Sequence, residues 1–241
     1  MGGVAAFERR WAWWVRMRNA MRMQAYSAGR DRTMRRAARA FLLTLGVLCL
    51  LAVAAIVTSR PATAQVPADA ARYRLTLIRE ARAVWGLNAP VASFAGQIHQ
   101  ESRWNPNAKS PVGAQGMAQF MPSTATWIAG LYPSLADRAP ANPTWAIRAL
   151  VTYDAQLFTE VHQADDDCQR FAFALSAYNG GIGWVHRRQS KASKPGVCFG
   201  QACAINPGIT PAAQAENEAY PRRILLAHQS LYADWGPGVC P

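Results

Sequence analysis

The chain has 241 residues, of which 26 are basic and 14 acidic, giving a net charge of +12. With 51% hydrophobic and 17% charged residues, extensive disorder is excluded. Residues 1–64 carry 11 Arg against two acids, Glu8 and Asp31, whereas residues 65–241 carry 15 basic and 12 acidic side chains, so the basic excess is a property of the N-terminal end and no nucleic-acid partner is expected.

In chain order, the first feature is Phe41 to Ser59, a run of 19 uncharged residues preceded by Arg35, Arg36 and Arg39 and followed by Ala62-Thr63-Ala64. A basic region, an apolar h-region (41–57) and a small-x-small site are the parts of a secretory signal peptide, with cleavage expected after Ala64. The expected location is the periplasm. Left uncleaved, residues 41–59 are at the short end of what holds a chain in the inner membrane. Met34 starts a signal peptide of ordinary length, so residues 1–33 read as a misassigned start or a solvated basic tail. The expected division is 1–64 as extension plus signal peptide and 65–241 as one domain with a single core.

Ala68 to Trp85 places Tyr73, Leu77, Ala81 and Val84 at helical spacing and closes on Gly86. Pro90 opens a second helix through Phe94 and Ile98 to about Ser102. Residues 105–116 are polar and rich in Gly and Pro, which predicts a loop or a short irregular hairpin. Pro122 and Ser123 start a short helix to about Ala129, and Pro143 opens a long one through Ile147, Leu150, Leu157 and Val161. Asp165-Asp166-Asp167 predicts a cap for the next helix, which carries Phe171, Phe173 and Leu175 to Tyr178 and stops at Gly180-Gly181. Residues 191–213 read as a loop, and a last helix is expected after Pro221, through Ile224, Leu225 and Leu231. No stretch alternates with period two and no repeat is present, so the fold class is mainly α.

Cysteine usage agrees with export. Cys49 lies in the apolar run, and Cys168, Cys198, Cys203 and Cys240 remain, an even number that reads as two disulfides with three possible connectivities. The favoured pairing is Cys198–Cys203 as a local loop and Cys168–Cys240 tying down the C-terminus. There is no Cys-x-x-Cys pair, and the four His are scattered, so no metal or other cofactor is expected.

The chemistry is concentrated in residues 101–124. Glu101 ends an apolar helix and is followed by a polar Gly-rich loop that carries Gln119 between small and apolar neighbours. A carboxylic acid in apolar surroundings keeps its proton near neutral pH, which suits a general acid. A structural salt bridge at the helix end is the plainer alternative for Glu101.

The spacing then matters. Glu101-Ser102, Trp104, Asn105-Pro106, Ala108, Ser110, Gly113-Ala114, Gly116, Gln119, Met121-Pro122 and Thr124 fall in one register without a gap. That series resembles the catalytic signature of bacterial lytic transglycosylases of the soluble, goose-lysozyme-like type. Ala118 departs from the family's usual Met or Trp. Downstream, Ala177-Tyr178-Asn179-Gly180-Gly181 is similar to a second family element, and Glu216-Asn217-Glu218-Ala219-Tyr220 to a third, with Asn217 and Pro221 as departures.

The resemblance implies an α+β lysozyme-like superfamily fold, mainly helical, and cleavage of peptidoglycan glycan strands between N-acetylmuramic acid and N-acetylglucosamine without a metal. It implies Glu101 as general acid and then base, forming a 1,6-anhydro product. Ser110, Gln119, Met121, Tyr178, Asn179 and Tyr220 would line the sugar site. Domains of this kind serve wall turnover and also open the wall for secretion, conjugation or phage entry, so an envelope-spanning machine is a candidate partner of an expected monomer. Two competing readings remain. One is a goose-type lysozyme-like hydrolase, whose second carboxylate would be Asp137 or Asp154. The other is a catalytically silent cell-wall-binding or assembly module. His99 is expected to be structural, Trp127, Trp145 and Trp184 to be core, with extension of the cleft by one of them as the alternative, and Arg187-Arg188 and Arg222-Arg223 to be solvated faces, with contact to anionic cell-wall material as the alternative.

Overall fold

The computed structural model describes residues 65–241. The apolar run 41–59, the expected cleavage after Ala64 and Cys49 lie outside the described residues. Among the described residues no helix is long and apolar enough to cross a membrane. Seven α-helices among the described residues follow a short 3-10 turn at Ala68–Tyr73: α1 (Arg74–Trp85), α2 (Val91–Ser102), α3 (Pro122–Leu131), α4 (Pro143–Glu160), α5 (Asp167–Gly180), α6 (Ile182–Lys191) and α7 (Pro211–Arg222). No strand occurs among the described residues, only isolated antiparallel bridges Lys109–Gln115 and Gln115–Phe120 in the hairpin-like loop after α2.

The ends follow from local chemistry. Gly86 closes α1 at φ 79° and Gly181 closes α5 at φ 100°, backbone values at which a Cβ is costly. The Asn142 side chain accepts from the Thr144 and Trp145 amides with Pro143 in the first turn, and Asp166 accepts from the Gln169 amide.

α2 is the centre of the fold. Every residue from Val91 to His99 is buried, as expected of a helix packed on all sides. Its small residues allow that closeness. A Cβ on Gly96 would stand 3.1 Å from the Gln229 nitrogen and 3.2 Å from the Ile224 oxygen. The segment that approaches there is a π-helical turn, Arg223–His228, continued by 3-10 turns to Trp235. α1 packs on α4, α4 on α5, and α5 on both α6 and α7. Trp85, Phe94, Phe158 and Phe171 meet between these layers with ring centroids 5.2 to 5.7 Å apart for the pairs that include Trp85. Each such ring buried contributes about 1.5–3 kcal/mol.

Two sequence expectations need correction. Residues 182–191 form α6, where the sequence predicts no helix; its buried face is only Val185, Arg188 and Gln189, too short and too polar to show as periodicity. The last helix begins at Pro211, not after Pro221, which lies inside it. Proline removes an i→i−4 bond, and the wider π turn that follows accommodates the loss.

Disulfides join Cys168 to Cys240 and Cys198 to Cys203. The first pins the C-terminus to the start of α5; the second closes a short loop between α6 and α7.

Candidate active site

Glu101 is in the last turn of α2, half-buried, at the point where the chain leaves the helix through two left-handed residues, Arg103 (φ 53°) and Trp104 (φ 67°). Gln119, also left-handed at φ 47°, turns the loop back. Non-glycine residues held in this region cost energy and cluster at functional sites. Trp104 supports the turn by being fully buried, its indole N–H donating to the Tyr232 hydroxyl at 2.8 Å.

The loop is braced by its own polar groups. The Ser110 hydroxyl accepts from the Ala114 amide at 2.9 Å, and the Gln119 side-chain amide donates to the Gly116 carbonyl at 2.9 Å and the Ala108 carbonyl at 3.3 Å. Ser102 reaches across to the Met117 carbonyl at 2.8 Å. Gly116 has φ 76°, and a Cβ there would stand 1.7 Å from the Pro140 carbonyl oxygen. No other residue fits. The Ser110 and Gln119 side chains thus hold the shape of the loop, and Met121 lies on its surface, 38% exposed.

Two tyrosines from distant helices meet this loop. Tyr220, buried on α7, donates its hydroxyl proton to a Glu101 carboxylate oxygen. Tyr178, at the end of α5, donates to the Ala118 carbonyl at 2.7 Å. The departure at Ala118 therefore meets a tyrosine through its backbone. Asn179 is exposed, and its side-chain oxygen accepts from Asn217 at 2.8 Å. Asn217, the second departure, is buried and also exchanges hydrogen bonds with Ser176.

The electrostatics favour a protonated Glu101. Burial is the largest cause, pushing its pKa from 4.5 to about 7; the Tyr220 bond pulls down and the Glu216 charge pushes up. Glu216 is one turn before Tyr220 on α7 and lines a cavity of about 220 Å³ with Asn179, Trp184 and Asn217.

Beneath Glu101 is a buried pair that joins α2 to α4. Gln97 precedes Glu101 by one helical turn, and its amide donates to Asp154 of α4 at 3.3 Å, both residues being fully buried. Burial pushes the Asp154 carboxyl well above the usual carboxylate range, with the Gln97 bond opposing and the nearby Glu101 charge adding to the effect. Asp154 thus lies sealed under the site, and Asp137 is exposed. The signal for this pair was Gln97 itself, a lone amide among the buried positions of α2, on the face of Glu101.

Other side chains depart from expectation. Arg188 is buried, not solvated: it donates to the Ile205 carbonyl at 3.1 Å, the Ser176 hydroxyl at 3.2 Å and the Gln214 side chain at 2.8 Å. Trp145 is core, with its N–H on the Leu135 carbonyl at 3.0 Å, but Trp127 is 45% exposed and Trp184 half-buried against Arg187. His99 is structural, stacked on His228 at 4.4 Å and bonded to the Tyr232 hydroxyl at 2.9 Å. Its burial lowers its pKa to about 4. Among the described residues no group of three or more His, Cys, Asp or Glu is placed to hold a metal ion.

Comparison with known proteins gives a consistent set of likenesses. A family profile described as the transglycosylase SLT domain matches residues 79–196. The chain is 36% identical over 92 residues to membrane-bound lytic murein transglycosylase F of Shewanella denitrificans, covering 38% of this chain and 17% of that one. It is 33% identical over 104 residues to the protein of the same description in Shewanella loihica, covering 43% and 20%. The chain thus matches about a fifth of the length of these relatives. The X-ray structure of an inactive mutant of lytic transglycosylase Slt from Pseudomonas aeruginosa superposes with a TM-score of 0.50 at 22% identity, over 70% of this chain and 25% of that one. That likeness is one of fold.

Proposed function

The chain carries a transglycosylase SLT domain over residues 79–196, and on that premise we propose that it is a lytic transglycosylase acting on the glycan strands of peptidoglycan, with Glu101 as its single acid–base group. The observation that carries this reading is the state of Glu101. It is a half-buried carboxyl at a helix end, held protonated up to about pH 7, and oriented by the Tyr220 hydroxyl.

Glu101 gives its proton to the glycosidic oxygen as the bond between N-acetylmuramic acid and N-acetylglucosamine breaks. The carboxylate left behind keeps its bond from Tyr220, which stabilises the charge as it forms. It then takes the proton of the muramic acid 6-hydroxyl, whose oxygen attacks the anomeric carbon. The product is a 1,6-anhydro sugar, and Glu101 is reprotonated. Tyr178, Asn179 and Tyr220 border the sugar site; Ser110 and Gln119 serve it by fixing the loop, and Met121 forms part of its outer edge. Glycosidases that use water need a second carboxylate roughly 5 to 9.5 Å away. The sealing of Asp154 behind Gln97 supports the single-carboxylate chemistry over hydrolysis.

The test is Glu101→Gln, which keeps the shape but has no acidic proton. General acid–base assistance is worth roughly 10²–10⁴-fold, and one group serves both steps, so the loss should reach the top of that range. Purified sacculi should yield 1,6-anhydromuropeptides with the unmodified chain, read by mass spectrometry, and remain bound but undissolved with the variant. Undiminished activity in Glu101→Gln would overturn the assignment; reducing-end products without the anhydro ring would establish the hydrolase instead.

A further inference from the structure

Gln97 and Asp154 take no direct part in the proton transfers above, yet both are 0% exposed and Gln97 stands one turn before Glu101 on α2. One bond joins them, from the Gln97 amide nitrogen to Asp154 Oδ1 at 3.3 Å. Their other two oxygens, Gln97 Oε1 and Asp154 Oδ2, are buried and without a hydrogen-bond partner. Three buried side-chain polar atoms are unpaired among the described residues, so two of the three belong to this one pair. Interiors seldom leave such atoms unpaired, because each forfeits its bonds to water.

A single proton satisfies both. With Asp154 ionised, Oδ2 and Gln97 Oε1 are acceptors only, and neither can serve the other. With a proton on Oδ2, that oxygen donates to Gln97 Oε1. Acid and amide then close a ring of two hydrogen bonds, amide N–H to Oδ1 and Oδ2–H to Oε1. The surroundings agree. The ion pairs among the described residues are those of Asp69 and Glu80, and none reaches Asp154. The titratable groups that act on it or feel its charge are Glu101 on α2, Tyr153 on its own helix, Tyr178 on α5 and Tyr220 on α7. None of them is cationic, so burial and charge both favour the neutral carboxyl.

We infer that Gln97 and a protonated Asp154 form a neutral acid–amide ring that positions Glu101, fixing the last turn of α2 against α4 without setting a second negative charge beside the acid. Resting on the proposed function for what Glu101 does, the ring meets a need of that chemistry. A group that is acid in one step and base in the next has to release its proton as well as hold it. An ionised Asp154 would raise Glu101 further and hinder the release, as paired carboxylates do. Gln97 and Asp154 are positioning residues; neither meets the substrate.

The experiment follows kcat and KM of the full chain on purified sacculi across pH. Asp154→Asn preserves the ring, because its amide donates to Gln97 Oε1 and its oxygen accepts from the Gln97 nitrogen. Its kcat should stay within about twofold, and the alkaline limb near pH 7 should not move. Asp154→Leu leaves the Gln97 amide buried and unpaired, and should lower kcat about tenfold with little change in KM. Adding Gln97→Leu to Asp154→Leu makes both partners apolar, so the melting temperature should recover while kcat stays low; a purely structural pair would recover both. Infrared spectra should show the carbonyl band of a protonated carboxylic acid that persists at about pH 9, where Glu101 is ionised, and is missing from Asp154→Asn. If Asp154→Leu does not fold, the double variant and this band decide. The ring is overturned by absence of the band from the unmodified chain, by an alkaline limb that moves to lower pH in Asp154→Asn, by an Asp154→Asn as slow as Asp154→Leu, or by full kcat in the double variant. Failure of the unmodified chain to release anhydro products would overturn the proposed function, and the infrared band and melting series would still be readable.

Discussion

Glu101→Gln should make the protein more stable, and only above acidic pH. Burial raises the Glu101 pKa from 4.5 to about 7 in the folded state, so folding favours the protonated form. A carboxyl raised in this way contributes its full stability below about pH 4.5, where folded and unfolded chains both hold the proton, and that contribution drains away as pH rises through 7. The gap of two to three pK units corresponds to about 3 kcal/mol of stability lost by pH 8. Glutamine is neutral throughout and still accepts the Tyr220 hydroxyl, so the variant escapes the loss. For a domain of this size, that difference amounts to roughly 6–12 °C in Tm; partial exposure of Glu101 favours the lower end. Thermal melts of both proteins at pH 4 and pH 8 provide the measurement. The expected result is near-equality at pH 4 and a more stable variant at pH 8. If the Tyr220 bond outweighed burial, the sign would reverse and Glu101→Gln would be less stable at pH 8. A gap that is absent, or of that sign, would refute the account of Glu101 as an acid kept neutral at the expense of stability.

Tyr220→Phe removes a bond that favours the ionised carboxylate, so the Glu101 pKa should rise by about one unit above its value near 7, and the alkaline limb of kcat/KM on sacculi should move upward with it; an unmoved limb would show that the working enzyme does not use this bond. The two disulfides should differ in worth. In the chain-entropy account, Cys168–Cys240, separated by 72 residues, stabilises by about 4 kcal/mol and Cys198–Cys203, separated by 5, by about 2. Paired Cys→Ser variants compared by urea unfolding should keep that order, and a larger loss from the short bridge would contradict it.

Much of this protein was legible from local patterns because its determinants are local. The start at Pro143, the cap at Asp166, the stop at Gly86 and the apolar spacing of α1, α2 and α4 depend on neighbours within a turn or two, and the helices formed close to where those signals stood. The signature from Glu101 to Thr124 was legible for the same reason: its serine, glutamine and glycines bond to one another within the loop. Burial across distant elements was not. Arg187 and Arg188 are adjacent and chemically alike, but only Arg188 points to where Ser176, Gln214 and the Ile205 carbonyl converge. Trp127 and Trp145 look alike in composition, and the packing of α3 and α4 leaves one exposed and the other inside. The protonation of Glu101 is of this second kind. Residue type and spacing marked the carboxyl, but its pKa is set first by how the surrounding elements bury it, with Tyr220 of α7 pulling it down and Glu216 pushing it up. Desolvation and charge act through space, so the sequence alone marked the candidate carboxyl, and only the tertiary structure decided that it keeps its proton.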